Sequence, residues 1–178
     1  MNIIVSAPNI NNGGGLVLLN SVIENMRDNV YYFLDGRIKN QFSNLDQRLI
    51  FWVYPNIVSR LIAEVKLKYF AKKYGIVLLF NGLPPLFRNS ALNFAFLQNS
   101  LYFKNLAFFD LHFEKRVKLF FEIFLLKNFY SNVNLYIVQT NSMQENLNTF
   151  FNKYCKKKFQ KLKNYHFTVT MLFGEKCQ

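Results

Sequence analysis

The stretch Asn2-Ile3-Ile4-Val5-Ser6-Ala7-Pro8-Asn9-Ile10-Asn11-Asn12-Gly13-Gly14-Gly15-Leu16 decides how this chain folds. Residues 2–6 form a short apolar run that reads as a buried strand. From Leu16 onward, Leu16, Leu19, Ile23 and Met26 fall on one face of a helix. Three consecutive glycines separate the two elements. A glycine-rich turn between a first strand and a first helix lets backbone approach a ligand closely. The free N–H groups of the helix start then favour an anion, phosphate above all. The turn is neither Gly-x-Gly-x-x-Gly nor Gly-x-x-x-x-Gly-Lys-Ser/Thr, which argues against dinucleotide and Walker-type sites. A plain tight turn is the competing reading.

Working outward, strand-like and helical runs alternate. Val30–Leu34 reads as a strand closed by Asp35-Gly36, and Leu49–Tyr54 as another. A helix starting after Pro55-Asn56 is expected to carry Val58, Leu61, Ile62, Val65 and Tyr69 inward and to end at Gly75. Ile76–Phe80 is fully apolar, as at the centre of a parallel sheet. Asn93–Leu97, a long helix from Leu111 to Phe129 and the strand Leu135–Val138 follow. Ser142 and Glu145 have capping-box spacing for a helix from Ser142 to Tyr154, and Phe167–Phe173 reads as a last strand. The pattern predicts an α/β chain, a Rossmann-like doubly wound fold with a mostly parallel sheet, as one domain over residues 1–178. Ligands bind beyond the carboxyl ends of such strands. The loops Asn9–Gly15, Asn81–Pro85, Gln98–Ser100 and Gln139–Met143 should therefore gather on one rim.

The 178 residues are 51% hydrophobic, enough for one core and too few for two ordinary domains. The net charge of +12 points to an anionic partner: nucleic acid, an acidic membrane surface or a phosphorylated ligand. An AT-rich genome, which favours Lys, Asn, Phe, Ile and Tyr, is the alternative source of that balance. Cys155 and Cys177 suggest neither a disulfide framework nor a metal site, and a reducing cytoplasm is expected. The start of the chain lacks a charged leader pattern, and no apolar run approaches the ~20 residues of a membrane span. Basic residues cluster at Arg60, Lys66, Lys68, Lys72 and Lys73, and again from Lys153 to Lys163. Lys115, Arg116 and Lys118 lead into Phe120-Phe121, a mixture that suits an anionic membrane surface as well as a solvated helix face. Asp110, His112 and Glu114 alternate and cannot share a helix face, so Asp110 reads as a cap rather than a metal ligand. No metal or cofactor is expected.

Three segments together resemble a known family. Asn11-Asn12-Gly13-Gly14-Gly15-Leu16 is similar to the opening of GT-B glycosyltransferases, especially the retaining family 4 (glycosyltransferase group 1). Leu79-Phe80-Asn81-Gly82-Leu83-Pro84-Pro85-Leu86, followed by Phe96-Leu97-Gln98-Asn99, resembles the middle of their N-terminal domain. Ile137-Val138-Gln139-Thr140-Asn141-Ser142-Met143 resembles their strand-plus-helix segment reading Val-Gln-Thr and then Met. The resemblance covers about residues 1 to 150. It implies the acceptor-side half of a two-domain enzyme, with the donor-binding C-terminal domain and its Glu-x7-Glu signature absent. It further implies a nucleotide-sugar donor, a lipid-linked or growing glycan as acceptor, and a role in lipopolysaccharide or capsule assembly at the inner face of the plasma membrane. On that reading Asn12, Gly13, Gly14, Gly15, Asn81, Gln98, Asn99, Gln139 and Thr140 line the substrate cleft. Many family members place a His where Gln98 and Asn99 stand. An amide can orient a hydroxyl but cannot take its proton, so no catalytic base is identified.

Two other functions compete. One is a non-enzymatic basic module binding RNA or another polyanion, although the chain lacks an RNP1 motif, a KH loop and a zinc finger. The other is a non-catalytic subunit completing a site on a separate polypeptide.

Overall fold

The structure is a computed structural model that describes residues 2–26, 29–103, 112–154 and 170–171. Strands β1 (Ile3–Ala7), β2 (Val30–Asp35), β3 (Ile50–Val53), β4 (Ile76–Leu79), β5 (Leu92–Leu97), β6 (Leu135–Val138) and the two-residue β7 (Thr170–Met171) form one sheet. The order is β3-β2-β1-β4-β5-β6-β7, and every pair is parallel. Helices α1 (Gly13–Asn25), α2 (Ile57–Phe70), α3 (Phe113–Phe129) and α4 (Asn141–Tyr154) supply crossovers. This is the Rossmann-like doubly wound architecture expected from the alternation of elements. The strand order reverses between β1 and β4, which creates the crevice where such sheets bind ligands.

Side chains alternate across each strand, so the sheet has two apolar faces. Val5, Ala7, Tyr32, Leu34, Phe80 and Phe96 pack on one face, under Leu19 and Ile23 of α1 and a 3-10 segment carrying Ile38 and Phe42. Ile4, Phe33, Val53, Val77, Ala95 and Tyr136 pack on the other, beneath α2, α3 and α4. The β4–β5 connection holds no helix. It is anchored instead by side-chain amides: Asn93 Nδ2 donates to the Asn132 carbonyl at 2.8 Å, and Asn132 Nδ2 donates to the Pro85 carbonyl at 2.9 Å.

Two expectations from the sequence are corrected. The first concerns α2. Its buried residues are Ala63 and Leu67, while Val58, Leu61, Ile62, Val65 and Tyr69 all point outward. Polar ties fix the rotation. Asn56 Oδ1 accepts from Ser59 N at 2.7 Å, and Ser59 Oγ accepts from Tyr54 N at 2.9 Å. Arg60 Nη2 reaches the Pro8 carbonyl at 3.2 Å, and Glu64 accepts from Leu86 N at 2.8 Å. Phe70 stacks on Tyr31 with ring centroids 4.4 Å apart. These contacts all lie on the side opposite the apolar stripe, so the stripe faces away from the sheet. The helix also closes earlier than expected, at Phe70 rather than Gly75.

The second correction concerns the cap of α4. Thr140 Oγ1 accepts from Met143 N at 3.2 Å, and the Thr140 carbonyl accepts from Gln144 N. Thr140 therefore caps the helix and Ser142 lies inside it. Asp110, Cys155, Cys177, the basic residues after Tyr154 and most of Phe167–Phe173 lie outside the described residues.

Candidate functional site

All strands run the same way, so the loops after β1, β4, β5 and β6 share the carboxyl rim. Contacts join three of them directly. A Cβ on Gly15 would lie 2.9 Å from Gln98 Oε1, so this glycine permits the approach of the β5 loop. Gln98 Nε2 in turn lies 3.4 Å from the Phe80 carbonyl. Gly13 has φ +65°, a left-handed conformation that glycine adopts without steric penalty. Apart from the adjoining residues and the backbone of α1, no atom lies within 4 Å of a Cβ built on Gly13 or Gly14. Asn12, at the cap position of α1, makes no side-chain capping bond. The start of α1 thus presents open glycine backbone at the switch point.

The other predicted residues are placed less uniformly. Asn81 Oδ1 lies 3.4 Å from Leu83 N, and Asn99 Oδ1 accepts from Leu101 N at 3.0 Å, so both side chains shape their own turns. Thr140 is engaged in capping α4. Gln139 is half-buried at the end of β6. Asn11, with its amide oxygen turned to Arg37, accepts from Nε and Nη1 at 3.3 and 3.1 Å. Asp35 ends β2, where a dinucleotide fold places a ribose-binding acid. Here it is fully buried and held by Arg37 through two bonds of 2.9 and 2.7 Å.

A larger feature was missed at the sequence level. On the sheet face opposite α1, a cavity of about 780 Å³ opens between α2 and α3. Its rim end is formed by Ser6, Pro8, Asn81 and Pro84, and its walls are mostly apolar, including Phe33, Leu67 and Leu125. Of the substrate residues expected from the sequence, only Asn81 lines it. Its size falls within the ~300–1,000 Å³ typical of ligand sites. Arg60 and Glu64 supply inward polar groups. Burial weakens the proton affinity of the Arg60 guanidinium, and the nearby acids Asp35 and Glu122 oppose that shift. Burial also pushes the Glu64 carboxyl above its ordinary range, against the pull of its bond from Leu86 and of Arg60. Behind the cavity, Tyr102 Oη lies 3.3 Å from Glu122, which is itself raised by burial and sits 3.8 Å from Lys118. The spacing Arg60-x-x-x-Glu64 was the available signal, because it puts both charges on one helix face opposite the apolar stripe.

The arrangement can hold an amphiphile. Its apolar part fits the cavity, and an anionic part can meet the Arg60 guanidinium at the wall. No group of three or more His, Cys, Asp or Glu with metal-binding geometry occurs among the described residues. No helix among them is long and apolar enough to cross a membrane. No family model, curated protein or solved structure matches this chain.

Proposed function

We propose that this chain is the acceptor-side half of a GT-B-type sugar transferase, holding a lipid-linked saccharide while a separate donor domain supplies the nucleotide sugar. The observation that supports the reading is the carboxyl rim, where an uncapped glycine turn stands on one face of the sheet and a mostly apolar cavity with an inward guanidinium opens on the other. The glycine N–H groups and Arg60 suit the phosphates linking sugar to lipid. The cavity suits the first part of the hydrocarbon chain. Of the expected substrate residues, Asn81 lines the cavity, and Gln98 meets Gly15 at the rim. The setting that fits is cytoplasmic assembly of cell-surface polysaccharide, such as lipopolysaccharide or capsule. On this reading residues 1–150 hold the acceptor, and transfer needs a donor-binding domain facing them.

Amide-resolved NMR titration tests this. A prenyl-diphosphate-linked saccharide should shift Gly13–Leu16, Arg60 and Asn81, and the same saccharide without lipid should do so far more weakly. Gly14→Asp places a carboxylate at the open helix start and should weaken binding roughly tenfold. Failure of every lipid-linked saccharide to perturb the rim overturns the reading. Salt-sensitive RNA binding that leaves the rim untouched would favour the polyanion-binding alternative.

A further inference from the structure

Two adjacent helices turn their apolar faces to the outside. On α2 the outward residues are Ile57, Val58, Leu61, Ile62, Val65 and Tyr69, between 42% and 78% exposed. On α3 they are Phe113, Val117, Phe120, Phe121 and Phe124, between 49% and 77% exposed. Both sets follow the three-and-four spacing of a helical stripe. Residues from both stripes line the mouth of the cavity between the helices, so the two faces adjoin. A contiguous apolar patch of this kind is uncommon on a monomer and marks an interaction surface.

The flanking charge identifies the partner. Lys66, Lys68, Lys72, Lys73, Lys115 and Lys118 are exposed on or just beyond the two helices, against the single exposed acid Glu114 in the same segments. The chain as a whole carries +12. Aromatic and branched apolar side chains between lysines, on helices lying side by side, match an anionic leaflet. A protein partner would need acidic groups facing the lysines, and this chain has few to offer a second copy of itself. We propose that the α2–α3 face docks on an anionic lipid surface, with the two stripes at the depth of the acyl boundary and the lysines at the headgroups. This inference rests on the exposed faces and does not require sugar transfer.

Vesicle flotation tests it, using phosphatidylcholine alone and phosphatidylcholine containing phosphatidylglycerol. The chain should float with the anionic vesicles, and less so as salt is raised. Phe120→Asp/Phe124→Asp should reduce partitioning roughly tenfold or more, because both side chains would meet the acyl boundary. Lys115→Gln/Lys118→Gln should reduce it and blunt its salt dependence. Val17→Asp, an equally exposed apolar-to-acid change on α1 across the sheet, should leave it unchanged. All five positions are exposed, and circular dichroism melts check that each variant folds. The proposal is overturned by failure to float with either vesicle. It is equally overturned if the Phe pair binds as wild type, or if Phe120→Asp/Phe124→Asp converts a stable dimer to a monomer without altering flotation.

Discussion

At the scale of single residues, the glycines separate into those that need to be glycine and those that do not. Gly82 has φ +73°, and a Cβ there would lie 2.7 Å from a Leu97 methyl and 2.9 Å from the Phe96 carbonyl oxygen. Gly82→Ala should cost about 3 kcal/mol through backbone strain and overpacking together. Gly14 is neither left-handed nor crowded. Gly14→Ala should be neutral or stabilise by up to about 1 kcal/mol, through lower entropy of the unfolded chain. Urea denaturation of both variants measures the contrast. The sequence singled out the triplet because three glycines are conspicuous. It gave Gly82 no comparable weight, because the crowding comes from the end of β5, which meets this loop only once β4 and β5 have paired. Asp35 was likewise read only as a strand end. Arg37→Ala would strip its buried carboxylate of its two charged bonds, and about 2–3 kcal/mol of stability should be lost, moderated by the half exposure of Arg37.

Among elements, α2 is the most instructive. Its periodicity was readable, but periodicity marks a stripe without saying which side the core takes. The Asn56 cap and the Ser59 bond to Tyr54 are local, but the reach of Arg60 to Pro8 and the bond from Leu86 N to Glu64 fix the rotation, and both depend on neighbours supplied by the fold. The cap of α4 shows the same limit: Ser142 and Glu145 had the right spacing, yet Thr140 stands nearer the end of β6 and takes the role. The carboxyls turned inward from α2 and α3 make a pH prediction. Burial raises both Glu64 and Glu122. The folded state therefore keeps protons that the unfolded state has released. Their contribution is fully present at and below the ordinary carboxylate range of about 4–4.5, and is lost as pH rises through the raised folded values. Thermal melts from mildly acidic to neutral pH should show Glu64→Gln/Glu122→Gln with a flatter stability slope than wild type. An equal slope would remove these groups as the cause.

For the molecule as a whole, the α/β class and the gathering of loops on one rim were legible, because strand and helix periods differ and parallel strands send their following loops to the same edge. The cavity was not legible, since it forms between α2 and α3, which meet only after the sheet is assembled. The order of that assembly is written in the topology. β1 gains β2 on one side early, but its other neighbour is β4. From β4 onward each strand adds to the same edge. A chain ending after Tyr154 should thus melt cooperatively with β1 to β6 in register, whereas one ending at Tyr54 should aggregate through the unpaired edge of β1. Calorimetry and light scattering distinguish the two. The same order acts during translation. At ~5–20 residues per second, a nascent chain carries the open side of β1 for roughly seconds before Leu79 emerges. Over that interval the unpaired edge of β1 is open to strands of a neighbouring nascent chain.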